Sequence, residues 1–534
     1  MTERNSIRRN RRWFLPTLAA LLFALAAPSA FATTWFVRTD GGDATQCTGT
    51  TDAPYPGTGT GRPCAFKHPF IAMPPSGTPK LLGGDTLVIG NGSYMMGIGA
   101  PGSTLCGAGW SYDCRMPTIP SGPSAAQPTR IVGAGWNTGC AVKPELWGTE
   151  RTARILDLNG SSNVQVQCLE ITDHAACIEH HCENGQCQGE IARCNRETAP
   201  YGQWASVGIY AAASSNVALR DLNIHGMANR GVLAGGLRDW TVERVKIRAN
   251  GWSGWDGDVG AASSNSGTLT FRELEVSWNG CAERWPSTDP FACWAQTAGG
   301  YGDGFGTART GGNFVFEDSV FHHNTSDGLD LLYMDGTGFV TVRRTYAEGN
   351  AGNQLKASGN SLLENNVVVG NCSFFNGQRN MADGDHCRAL GNAVALGTGA
   401  GTGGLATLRY NTITGEGDCL VMSTGGGAAG RTNLVNNALI GQTDWRQPWE
   451  STCVHYGDNA APATYTNNLI WNVKSGACPA GSICATPGIT SLLLPSFDAT
   501  PLATSNLVNR ADGAQPIADD FRHSSRPSGG AYDI

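Results

Sequence analysis

A run of short apolar strands recurring along most of the chain, a 24- to 26-residue repeat near its middle, and 72 glycines with only 15% charged residues predict an all-β solenoid. In such a fold parallel strands stack coil upon coil. A length of 534 residues would ordinarily suggest three or four domains. Internal repeats override that expectation, because a solenoid grows along one axis without splitting its core. Low charge and abundant Gly, Asn, Ser and Thr suit short strands and tight turns rather than helices.

Residues 1–32 read as an export signal. Arg8, Arg9, Arg11 and Arg12 form a basic region, Phe14 to Ala27 an apolar one, and Ala30-Phe31-Ala32 a small-x-small cleavage site. Arg11-Arg12-Trp13-Phe14-Leu15 also resembles the twin-arginine export pattern. Without this segment the chain has 32 basic and 43 acidic residues. That balance excludes a general nucleic-acid binder, and no later apolar run is long enough to span a membrane. A secreted or periplasmic monomer is expected.

Residues 33–150 are read as opening strands and a cap. Thr34 to Arg38 is a short strand, and Gly84-Asp85 precedes the apolar Thr86-Leu87-Val88-Ile89. This arrangement resembles the start of many right-handed, single-stranded parallel β-helix proteins. Residues 151–485 are read as the coils. Ten triplets align as one strand position: Val164-Gln165-Val166, Val217-Ala218-Leu219, Trp240-Thr241-Val242, Leu269-Thr270-Phe271, Phe314-Val315-Phe316, Val340-Thr341-Val342, Ser361-Leu362-Leu363, Ala406-Thr407-Leu408, Thr432-Asn433-Leu434 and Ala463-Thr464-Tyr465. The longer separations among them correspond to two turns, or to one turn with an insertion. A second apolar run follows each after a polar step, and the pairs Asn365-Asn366, Asn436-Asn437 and Asn467-Asn468 mark a common bend where asparagine tolerates left-handed backbone. Residues 486–534, rich in Pro, Ala and Ser, are read as a tail or cap.

All 18 cysteines lie after residue 32, an even number that fits disulfide-stapled loops. Close spacing suggests Cys47 with Cys64, Cys106 with Cys114, Cys281 with Cys293, Cys372 with Cys387, Cys419 with Cys453, and Cys478 with Cys484. Cys177, His180, His181, Cys182, Cys187 and Cys194 also permit a zinc reading, which ranks behind disulfides in an exported chain.

The stretch with chemical content runs from Asp303 to Lys356. Asp303-Gly304-Phe305 aligns with Asp327-Gly328-Leu329, and Asp330 with Lys356. One period per coil would stack these residues at the ~4.8 Å strand spacing, on one face. Carboxylates gathered from adjacent coils suit a hard cation such as calcium, and an amine beside that cation becomes a candidate general base. Lysine is used only six times in the whole chain. Asp256 and Asp258 fit the same column. His225, His322 and His323 are read as exposed polar residues, and Trp252, Trp255, Trp278 and Trp285 either as sugar-stacking groups or as packing for an inserted loop.

Asp303-Gly304-Phe305, Ser326-Asp327-Gly328-Leu329-Asp330 and Asn353-Gln354-Leu355-Lys356 together resemble the calcium-and-lysine region of the family-nine polysaccharide lyases, pectate lyases on a parallel β-helix. The resemblance implies calcium ligands at Asp303, Asp327 and Asp330, a Brønsted base at Lys356, and β-elimination in an acidic, pectate-like polysaccharide. Ser326 departs from it, standing where the family pattern has the first of two aspartates. A second reading keeps the fold and drops the chemistry: a carbohydrate-binding or adhesive β-helix whose Asp-Gly pairs are turns. The paired-Asp, Gly-His-Gly and Arg-x-Lys segments of polygalacturonase-like hydrolases are not evident.

Overall fold

The computed structural model describes residues 32–103, 106, 111–181, 191–259, 264–294, 301–378, 386–397, 404–424, 430–457 and 462–534. The proposed export segment, Cys182 and Cys187 lie outside them. Three parallel sheets run the length of the molecule, two of 13 strands and one of 10, and successive strands of each come from successive coils. The chain is a right-handed parallel β-helix. A typical coil passes through the third sheet at Arg230–Gly235, the first at Arg238–Glu243 and the second at Lys246–Arg248.

Alternation sets the register. In each strand of the first sheet every second side chain points inward, and the inward sets merge into one core from Val37 to Val473. All ten aligned triplets pair in the expected register: Val164 opposite Val217, Trp240 opposite Leu269, Leu269 opposite Phe314, Val340 opposite Ser361, and so on to Thr432 opposite Ala463. The longer separations are therefore single coils with insertions. Residues 95–150, within the stretch read as opening strands and a cap, contribute Thr129–Gly133 to the first sheet and Glu145–Gly148 to the second.

The bend between the first and second sheets is nearly invariant. Its first residue is left-handed in ten coils: Cys168, Asp221, Arg244, Glu273, Asp318, Arg344, Asn365, Tyr410, Asn436 and Asn467. Its second residue is Asn in four consecutive coils, where buried amides link Asn366 to Asn411, Asn411 to Asn437 and Asn437 to Asn468 at 2.8–2.9 Å. The outer asparagines have another use. Asn365, Asn436 and Asn467 donate to the carbonyls of Asp519, Asp512 and Arg510, fastening the C-terminal segment along the side of the coils.

Disulfides join all six closely spaced pairs named above. Cys140–Cys168 and Cys177–Cys194 add two more. The second of these removes Cys177 and Cys194 from any zinc site. No helix among the described residues is long and apolar enough to cross a membrane.

Candidate functional site

The candidate site sits where the chain leaves the second sheet and enters the third. A second buried ladder of amides runs through this junction, from Asn250 to Asn279, Asn324, Asn350 and the side chain of Gln354. Beside it the backbones approach closely. A Cβ on Gly304 would meet the Gly328 carbonyl oxygen at 2.5 Å, and one on Gly328 would meet the Gln354 carbonyl oxygen at 2.4 Å. Neither glycine has a positive φ. The Asp-Gly repeat therefore reflects close packing of successive coils rather than a left-handed turn.

Each aspartate that precedes such a glycine is fixed by the next coil. Asp303 Oδ1 accepts the Asp327 N–H at 3.0 Å, and Asp327 Oδ1 accepts the Asn353 N–H at 2.6 Å. In the following strands Leu329 and Leu331 point into the core, as do Leu355 and Ala357, so alternation turns Asp330 and Lys356 outward as register partners. Lys356 Nζ lies 2.5 Å from Asp327 Oδ2 and 3.1 Å from Asp330 Oδ2. Although outward-facing, the group is nearly dry: Asp303 is 5% exposed, Asp327 6%, and Asp330 and Lys356 9% each.

Three carboxylates against one ammonium leave excess negative charge in a poorly hydrated place. Burial, then repulsion from Asp327 and Asp330, pushes the Asp303 carboxyl up to about 7, despite the opposing effects of Lys356 and a hydrogen bond from Ser326. Asp330 is also raised, by burial first, with Lys356 acting against the shift. Burial opposes the Lys356 ammonium, but the three carboxylates, led by Asp327, outweigh it and hold its pKa above the ordinary lysine value.

One oxygen from each of Asp303, Asp327 and Asp330 lies within 4.8 Å of the others. Calcium–oxygen distances of ~2.3–2.6 Å fit between donors so spaced, and the hard, anionic donor set suits that ion. Cys372, Cys387 and Glu416 also cluster, but both sulfurs are committed to one disulfide.

The other sequence candidates fall in different places. Asp256 shares the column through Gly306, yet the Arg230 guanidinium holds its carboxylate; Asp258 is raised by burial and by Asp256. His225 is 3% exposed, correcting its reading as a surface residue. Its Nδ1 is 2.5 Å from Glu283 and its Nε2 2.8 Å from Glu170. Burial works against the imidazolium, but both glutamates outweigh it and raise its pKa to about 9. Glu283 comes from an inserted hairpin stapled by Cys281–Cys293, which carries no period from which the contact could be foreseen. His322 and His323 are partly buried, 2.8 Å apart through their Nδ1 atoms. Trp255 is core, stacked on Phe305; Trp252 packs on Tyr301, Trp278 on His323, and Trp285 is 48% exposed against His174. Sequence reading also missed Arg388, whose Nη1 donates to Ser326 Oγ at 3.1 Å.

Residues 207–394 match the family described as the right handed beta helix region. No curated protein matches the chain by sequence. Among solved structures, the pectate lyase Pel9A is 15% identical, with 94% of this chain and 95% of that one covered and a TM-score of 0.42. The Azotobacter vinelandii mannuronan C-5 epimerase AlgE6 A-module is 14% identical over 76% of this chain and 92% of that one, with a TM-score of 0.38. An alginate lyase from Paenibacillus sp. str. FPU-7 is 15% identical over 72% and 93%, with a TM-score of 0.36. None of these likenesses bears on the chemistry of this chain.

Proposed function

From a right-handed parallel β-helix carrying one dry cluster of three carboxylates and a lysine, we propose an exported polysaccharide lyase that cleaves an acidic, pectate-like polymer by β-elimination. The observation that carries the reading is the placement of Lys356 Nζ among Asp327, Asp330 and Asp303, on residues brought from three successive coils. Asp303, Asp327 and Asp330 would hold calcium. Bound there, the ion would neutralise the excess charge, attract the uronate carboxylate, acidify the proton alpha to it, and weaken the hold of Lys356 on its own proton.

Lys356, as the free amine, would take that alpha proton on Nζ. The electron pair left behind forms the carbon–carbon double bond as the bond to the glycosidic oxygen breaks, and the departing oxygen is protonated from solvent. Burial of the cluster keeps water from competing for the lysine. Eight disulfides among the described residues support folding in an oxidising compartment, in keeping with an export signal at residues 1–32.

A non-catalytic carbohydrate-binding or adhesive β-helix is favoured by one observation: Asp303 and Asp327 each also bind the next coil's N–H, a structural task that requires no reaction. Purified protein incubated with polygalacturonate, alginate and glycosaminoglycans should generate the ultraviolet absorbance of an unsaturated uronate end. That signal should require both calcium and Lys356. Silence across the panel from a folded protein would leave the binding reading in its place.

A further inference from the structure

An acidic polymer approaching this cluster meets carboxylates, and Lys356 is already engaged by two of them. Among the described residues, Arg388 is the cation at the edge of the same cluster that no carboxylate pairs. Its guanidinium makes a single hydrogen bond among the described residues, to the Ser326 hydroxyl, and no carboxylate there pairs with it. Ser326 is the chain neighbour of Asp327, so Arg388 stands beside the metal-type cluster, and it is only partly buried.

The segment that presents Arg388 is held in an unfavourable conformation. Cys387, Ala389 and Leu390 have φ values of 54°, 48° and 66°, in the left-handed region that a residue with a Cβ seldom adopts. Several contacts impose it. Cys387 is tied to Cys372, the Arg388 N–H reaches the Ala351 carbonyl at 2.8 Å, and the Ala389 and Leu390 carbonyls accept from the Asn392 amide and the Asp418 N–H. Gly391 closes the turn against Cys372 Sγ, where a Cβ would lie only 2.6 Å away. Strain maintained by this many partners marks a side chain whose position matters.

The residue at 326 decides whether the charge of that side chain is already paired. A carboxylate there would take the guanidinium as a salt bridge; a hydroxyl accepts one hydrogen bond and leaves the charge and the other donors available. Planar, bidentate recognition of a carboxylate is what a guanidinium with free donors provides. We propose that Arg388 binds a uronate carboxylate of the polymer, and that Ser326 keeps it available for that contact. The proposal deepens, and rests on, the acidic-polysaccharide reading above.

The test separates the two. In steady-state elimination of polygalacturonate, Arg388→Gln, which keeps a hydrogen-bonding side chain without the charge, should raise KM roughly ten- to hundredfold with kcat changed far less. Arg388→Lys should recover part of the loss. An unchanged KM in Arg388→Gln, from an active protein with an unaltered melting temperature, overturns the proposal and leaves the lyase reading intact. Affinity electrophoresis through gels containing polygalacturonate or alginate provides the arm that does not need turnover. Lys356→Ala should be retarded, and Lys356→Ala with Arg388→Gln should not. Equal retardation of the two, or none for the first, overturns the role of Arg388 even if the wild-type protein makes no unsaturated product.

Discussion

Lys356 has almost no solvent to fall back on, so truncating it leaves buried carboxylates facing one another. Removing one member of such a group typically costs about 3–5 kcal/mol. Lys356→Ala should therefore melt earlier than the wild type in calcium-free buffer, and added calcium should restore more of the midpoint in the variant, where no ammonium competes for the oxygens. Differential scanning calorimetry with and without the ion reads both effects. His225 makes the opposite kind of prediction, on pH. Its folded pKa is raised to about 9 from 6.5, so its imidazolium contributes stability fully below about 6.5, and that contribution, up to about 3 kcal/mol, is lost as pH rises through 9. The melting advantage of wild type over His225→Gln should shrink across that interval.

At the scale of the element, the two residues of the bend do different work. Both are fully buried; Asn437 donates to the Leu408 carbonyl and to Asn468 and accepts from Asn411, whereas Asn436 supplies a left-handed backbone and pairs with the Asp512 backbone of the C-terminal segment. Asn437→Ala should cost about 2–4 kcal/mol by urea titration, and Asn436→Ala only about 1–2. Gly328→Ala should be worse than its size suggests, because backbone at 2.4 Å cannot move aside like a side chain. Much at this scale was legible in advance. An inward residue every second position fixed the pairing of all ten triplets, and the same period brought Asp330 to Lys356. The Asn250–Asn279–Asn324–Asn350 ladder carries the same period, with separations of 29, 45 and 26 that repeat those of the strands. Arg388 and Glu283 lie in inserted loops without a period, so nothing local announced those contacts.

At the scale of the molecule, the C-terminal segment builds a second apolar cluster on the outside of the coils. Ile489, Leu507 and Ile534 close over Ala438, Ile440 and Leu469, outward positions of the second sheet. Ending the chain at residue 485 would bare that face and strip three bend asparagines of their partners. The truncated protein should melt lower by on the order of 5 °C or more and be cut by protease in its last coils first. The same long view gives the unequal joints of each coil a meaning in descent. One joint is two residues long in ten successive coils, from Cys168-Leu169 to Asn467-Asn468, while extra chain accumulates between the second sheet and the third, at residues 174–204, 278–304 and 371–393. A lineage can lengthen, shorten or exchange a loop at the second joint without disturbing the stack. Asp303, Asp327 and Arg388 all stand there, so new substrate preferences could be inherited as loop exchanges, with the coils passed on unaltered.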